Sequence, residues 1–140
     1  MAVTHLHSIV LTNSLSEIER LSQFVDRVSA ERSLTADDNA NLQLLLDEIV
    51  SNVIRHGFDG QPDHRILVSL AITGATASIE VNDDGRAFNP MDAPPPNFEA
   101  PIEERIGGLG IHIVRSIAQA IEYRRSNGHN VLTVTTKLGN

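Results

Sequence analysis

Glu48 and Asn52 stand four residues apart in Leu45-Leu46-Asp47-Glu48-Ile49-Val50-Ser51-Asn52. On a helix, residues i and i+4 share one face. That face would carry a carboxylate able to take a proton and, beside it, a neutral amide oxygen, a hard ligand suited to Mg²⁺. Two later segments could complete a site. Asp83-Asp84-Gly85 offers a carboxylate acceptor for an amine on a flat ring, with a glycine that lets a ring approach the backbone. Gly107-Gly108-Leu109-Gly110 offers backbone N–H groups that can close around phosphate at the start of a helix. Each piece has a plainer reading. A polar pair four residues apart is usually solvated helix surface, Asp-Gly is a common turn, and a run of glycines can be a hinge.

The elements that must position these residues follow from hydrophobic spacing. Residues 3–12 are rich in β-branched side chains and read as a strand. Leu15, Ile18, Leu21, Val25 and Val28 predict an amphipathic helix over 14–32. Thr35-Ala36-Asp37-Asp38 resembles a capping box with Asp for Glu, and opens a second helix reaching about Arg55, with Gly57 as its stop. Its apolar face is Leu42, Leu45, Ile49 and Val53, widened by Leu46 and Val50. Strands are expected over 65–73 and 76–81, joined at Gly74-Ala75. Residues 86–106 hold Pro90, Pro94, Pro95, Pro96 and Pro101, and read as a long loop of the kind usually functional or disordered. A third helix is expected over 109–121, with Ile113, Val114, Ile117 and Ile121 inward. A last hairpin pairs 122–126 with 131–137 across Asn127-Gly128-His129-Asn130. Helices segregated from a mixed, mostly antiparallel sheet give an α+β two-layer sandwich, here one domain over 1–140.

Composition narrows the function. The chain has 140 residues, 41% of them hydrophobic, which suits one core. A net charge of −7 argues against a nucleic-acid or anionic-membrane surface. No apolar run approaches a membrane span, and the start has no signal-peptide pattern. With no cysteine there is no disulfide or thiol chemistry, which fits a cytoplasmic protein. The histidines have no metal-site spacing, and no nucleophile has an obvious base. Lys137 is the only lysine, so no P-loop is present and any ATP must be held another way. Nor is the glycine run a Rossmann fingerprint, since Ile113 stands where a third glycine would be.

In this order the three segments resemble the N, G1 and G2 boxes of the Bergerat-type ATP-binding fold of gyrase B, heat-shock chaperone ATPases, histidine kinases and mismatch-repair ATPases. Within it the chain is most similar to stand-alone anti-sigma-factor serine kinases. The resemblance rests on 47–57 (Asp-Glu-Ile-Val-Ser-Asn-Val-Ile-Arg-His-Gly), 83–90 (Asp-Asp-Gly-Arg-Ala-Phe-Asn-Pro) and 106–114 (Ile-Gly-Gly-Leu-Gly-Ile-His-Ile-Val), with Tyr123 to Leu132 also fitting. It implies ATP and Mg²⁺, with Glu48 as general base, Asn52 on the metal and Asp83 reading adenine above Gly85. An ATP lid would span about 88–106. The backbone of Gly107, Gly108, Leu109 and Gly110 would hold phosphate, with Arg105 adding a charged contact. The implied activity is phosphorylation of a serine on a STAS-domain antagonist in a partner-switching system, by a homodimer, with a sigma factor as a candidate further partner. The alternative is a nucleotide-gated binding module without kinase activity. Two residues depart from the family pattern: Ala87 replaces a second glycine, and Asn130 stands where many relatives have threonine near the adenine. A complete sensor kinase is excluded, because the phosphoacceptor helix pair is missing.

Overall fold

The computed structural model describes residues 2–92 and 102–139, without the side chains of 102–109. Five strands form one sheet: β1 (Thr4–Thr12), β2 (Arg65–Thr73), β3 (Thr76–Asp83), β4 (Ala120–Ser126) and β5 (His129–Lys137), in the order β1-β2-β3-β5-β4. Every neighbouring pair is antiparallel, so the expected mixed sheet is in fact uniformly antiparallel. Three helices, α1 (Ile18–Glu31), α2 (Ala36–His56) and α3 (Ile102–Ile117), complete the α+β sandwich.

The alternation of side chains along each strand decides which face is buried. Ile66, Val68, Leu70 and Ile72 of β2 and Ala77, Ile79 and Val81 of β3 pack with Leu132 and Val134 of β5. Against them lie Leu21, Phe24, Val25 and Val28 of α1 and the stripe of α2 from Leu42 to Val53. The other face of the sheet stays open, and Leu6 and Val10 of β1 and Leu67 of β2 are exposed there.

Local chemistry sets the ends of α2. The Thr35 hydroxyl accepts the Asp38 N–H at 3.1 Å, as an N-cap should. Asp38 does not complete the capping box. Its carboxylate accepts the N–H of Gly139 at 2.8 Å instead, tying the end of the sheet to the start of the helix. Gly57 ends α2, its N–H donating to the Val53 carbonyl at 2.8 Å. Its φ of −87° is ordinary, so glycine is needed here for space: a Cβ would lie 2.6 Å from that carbonyl oxygen.

Three expectations are corrected. First, α3 begins at Ile102, so Gly107 to Gly110 lie inside a helix and do not open it. Second, the helix ends at Ile117. Ile121 belongs to β4, opposite Val134, and Ile113 faces solvent at 41% exposure while Ile111 and Val114 are buried. Third, the last hairpin turns on two residues only. Asn127 and Gly128, at φ 52° and 79°, have the double positive φ of a type I′ turn. His129 and Asn130 are therefore strand residues.

Candidate functional site

The two polar residues of α2 are not solvated surface. Asn52 is 3% exposed and Ser51 is buried, while Glu48 is half-buried. The Asn52 amide donates to the Pro90 carbonyl at 3.3 Å, which ties the middle of α2 to the loop after β3. Its Oδ1 accepts no hydrogen bond among the described residues. Glu48 faces α3. A Cβ on Gly110 would overlap the Glu48 carboxylate, so the glycine lets the two helices meet there. Glu48 Oε1 is buried with no hydrogen-bond partner among the described residues. Burial, and then the adjacent charge of Asp47, push its pKa above the ordinary glutamate value, partly offset by Arg55.

Strand β3 runs two residues further than its hydrophobic pattern indicates, and carries Asp83 to its end. Asp83 follows Ala77, Ile79 and Val81 on the inner face and is 3% exposed. Its Oδ1 accepts from the Gly85 N–H at 2.9 Å and from Asn130 Nδ2 at 3.0 Å. Burial raises its pKa, and these two donors pull it back. Gly85 has a packing role that the sequence does not reveal. A Cβ there would overlap the Gly57 carbonyl, and Arg86 donates its N–H to that same carbonyl at 2.8 Å.

The segment after Asp83 has little regular structure, yet its backbone groups are paired by side chains from distant elements. Arg125 donates to the Gly85 carbonyl at 2.8 Å, Asn130 to the Arg86 carbonyl at 2.7 Å, and Arg115 to the Met91 carbonyl at 3.1 Å. Arg86 returns its own Nε–H to the His56 carbonyl at 2.7 Å and lies over the Phe88 ring. Buried backbone polar groups must find such partners, so this loop start is held in place.

Of the residues singled out from sequence, the fold brings Glu48 against Gly110 where α2 meets α3, sets Asn52 against Pro90, and holds Asp83 and Gly85 at the end of β3. The Asn52–Pro90 and Arg86–Gly57 bonds join α2 to the loop after β3. Gly107, Gly108, Leu109 and Arg105 fall in α3, but the Arg105 contact lies outside the described residues, as does the middle of the expected lid, 93–101. Sequence reasoning quoted Arg86, Tyr123 and Arg125 only within motifs and gave them no role, and noted Asn130 only as a departure. The available signal was a polar side chain at an inward position of β5, two residues from the buried Leu132. Among the described residues no group of three His, Cys, Asp or Glu side chains could hold a metal. No described helix is long and apolar enough to cross a membrane.

The fold thus sets a half-buried carboxylate, a buried amide one turn away and a buried carboxylate at a strand end around the start of one loop. Residues 11–136 match the histidine kinase-like ATPase domain, and the chain belongs to that family. Its relatives narrow the class further. A serine/threonine-protein kinase, BtrW of Bordetella bronchiseptica, is 29% identical over 126 residues, covering 89% of this chain and 84% of that one. An anti-sigma F factor of Heyndrickxia coagulans is 30% identical over 105 residues, covering 74% and 69%. The fold agrees with the solved structure of the RsbU and RsbW domains of a Mycobacterium tuberculosis protein, at a TM-score of 0.68 and 17% identity. That match covers 96% of this chain and spans 32% of the solved one.

Proposed function

We propose that this chain is an ATP-dependent protein serine/threonine kinase of the anti-sigma-factor type, acting on a serine of a STAS-domain antagonist in a partner switch. The observation that carries this is the burial of Asn52 and the half-burial of Glu48, on a helix face that plain solvation would leave exposed. The names of the relatives support the same reading.

In this reading Glu48 accepts the proton of the substrate serine as its Oγ bonds to the γ-phosphorus. The bond from that phosphorus to the β,γ-bridging oxygen breaks, leaving phosphoserine and ADP. The raised pKa of Glu48 makes it a stronger base than an exposed glutamate. Asn52 fits a hard cation, because its amide nitrogen is engaged by Pro90 while its oxygen accepts no hydrogen bond among the described residues. Asn52 would hold Mg²⁺, which when bound neutralises phosphate charge. Asp83 accepts a hydrogen bond from the adenine amino group. The backbone of Gly107 to Gly110 contacts phosphate once α3 withdraws from Glu48, with Arg105 adding charge. The protein is cytoplasmic and homodimeric, with the exposed Leu6, Val10 and Leu67 on the open sheet face available to a second copy, and a sigma factor is the further partner.

A second reading is a nucleotide-gated binding module without catalysis. The closure of Gly110 over Glu48 favours it, since the base is covered in this state. One experiment separates the two. The protein is mixed with Mg-ATP and a STAS-domain partner, and phosphate on the partner is followed by mass spectrometry. Transfer is expected. ATP bound and partner engaged without transfer would remove the kinase reading and leave the module.

A further inference from the structure

We infer that Asn130 is the positioning residue that makes the site selective for a 6-amino over a 6-oxo purine, by holding Asp83 so that only one of its oxygens faces the base. This rests on the reading of the site as a nucleotide site, and goes beyond it by assigning base selectivity to a residue that does not touch the base.

Every hydrogen-bonding position of the Asn130 side chain is occupied. An asparagine side chain has two N–H donors and an oxygen with two lone pairs. Asn130 uses all four at 1% exposure. Its Nδ2 donates to Asp83 Oδ1 at 3.0 Å and to the Arg86 carbonyl at 2.7 Å. Its Oδ1 accepts from the Phe88 N–H at 3.2 Å and from the Tyr123 hydroxyl at 2.5 Å. Nothing remains to contact a ligand, so Asn130 acts only through Asp83.

The orientation of the amide is also determined. Turning it over would set its oxygen against the Asp83 carboxylate and the Arg86 carbonyl, and its NH₂ against the Phe88 N–H. Only the Tyr123 contact would survive, with the tyrosine as acceptor. The cross-strand pairing of Asn130 with Asp83 on β5 and β3 places the donor where it is needed.

The consequence falls on Asp83. With Asn130 and the Gly85 N–H both donating to Oδ1, that oxygen has no free lone pair, and Oδ2 is left to meet the ligand. An ionised Oδ2 can only accept. It matches the exocyclic amine of adenine and repels the carbonyl oxygen of guanine. Without Asn130, Asp83 loses a donor that favours its charged form and is freer to rotate. A carboxyl that holds a proton can donate to a 6-oxo group, so discrimination erodes from both sides.

The test is the ratio of Mg-ATP to Mg-GTP affinity, measured by calorimetry on the full chain. Wild type should prefer ATP. Asn130→Ala should lose about tenfold in ATP affinity, the scale of a lost hydrogen bond to a charged group, while GTP affinity stays within about threefold. The ratio therefore collapses about tenfold. Tyr123→Phe removes a donor to Asn130 but leaves both donations from Asn130, and should keep most of the preference. If Asn130→Ala does not fold, Asn130→Ser decides. It shortens the side chain past reach of Asp83, and an undiminished ratio in it overturns the inference. A wild-type ratio retained in Asn130→Ala overturns the inference alone, with the nucleotide site intact. A wild type that binds neither nucleotide overturns both the inference and the functional reading beneath it.

Discussion

The two ends of the site are built on opposite terms. At the Asp83 end every polar atom of Asn130 is paired, Asp83 Oδ1 has two donors, and the loop that follows is pinned by Arg86, Arg115 and Arg125. At the Glu48 end a buried carboxylate oxygen has no partner among the described residues, and a Cβ on Gly110 of α3 would overlap that carboxylate. A saturated network is rigid and ready to read a base without rearranging. An unpaired buried acceptor costs on the order of 1–3 kcal/mol, and anything that separates α3 from α2 returns that energy. The contrast therefore separates recognition from chemistry. On the proposed reading, the base-reading end is preorganised, while the Glu48 end holds an unpaired acceptor that a ligand can satisfy.

The largest test of this contrast is Glu48→Gln. The amide keeps the shape but cannot take a proton, so single-turnover phosphotransfer should fall by roughly 10²–10⁴. Mg-ATP affinity in the same protein should hold or rise slightly, because a negative charge near phosphate is gone. Full transfer by this variant would return Glu48 to an ordinary helix carboxylate. Next in size is Asn52→Ala. Mg-ATP affinity by titration should drop about ten- to a hundredfold, the scale seen when groups that orient a metal are lost. Unchanged affinity would mean that the metal is held elsewhere.

Gly110→Ala strikes the closed end directly. The added methyl meets only the flexible carboxylate end of Glu48, which must swing aside off its observed rotamer, a cost of about 0.5–1.5 kcal/mol in a denaturant melt. In a Glu48→Ala background the same change should cost much less. A double-mutant cycle without coupling would show that the two residues do not oppose each other in solution.

The smallest effect is a pH dependence. Glu48 has its pKa raised above the ordinary 4.5, so the folded protein holds this proton more tightly than the unfolded chain. Its contribution is most favourable below the ordinary value, and declines as pH climbs from there through the raised folded value. Asp83 is raised too and acts in the same direction, so the clean measurement is a difference. The melting temperature of Glu48→Gln relative to wild type should increase across that window. A constant difference would mean that Glu48 is solvated in the free protein.

Local signals were legible where they repeat. The period of α2 placed Glu48 and Asn52 on one face, and the alternation along 65–73 and 76–81 drew the central hairpin to within two residues of its observed ends. Reading failed where one or two residues had to be assigned at an element's edge. Asn127-Gly128-His129-Asn130 is all turn-forming, so the local pattern puts Asn130 in the turn. The two-residue type I′ turn returns it to β5, facing the core. A carboxylate breaks the apolar stripe, so the local pattern stops β3 short of Asp83. Gly107 to Gly110 were expected before a helix because glycine is a poor helix former, by about 1 kcal/mol against alanine. Tertiary packing overrode that preference, and at Gly110 the absence of a side chain leaves room for the Glu48 carboxylate as it lies.

By itself, then, the sequence determined the helix and strand content, the α+β class and the chemical groups of the candidate site: two carboxylates, an amide oxygen and a glycine run. These follow from side-chain period and from functional groups, which are local properties. Only the tertiary structure decided that Asn52 is buried against Pro90, that Asp83 is locked through Asn130, that Gly85 serves the end of α2, and that Gly110 closes over Glu48. Each of these depends on which carbonyl or carboxylate another element brings within hydrogen-bond or van der Waals reach. Distances between segments 40 or more residues apart are set by the packing of the sheet and helices, and no local pattern encodes them.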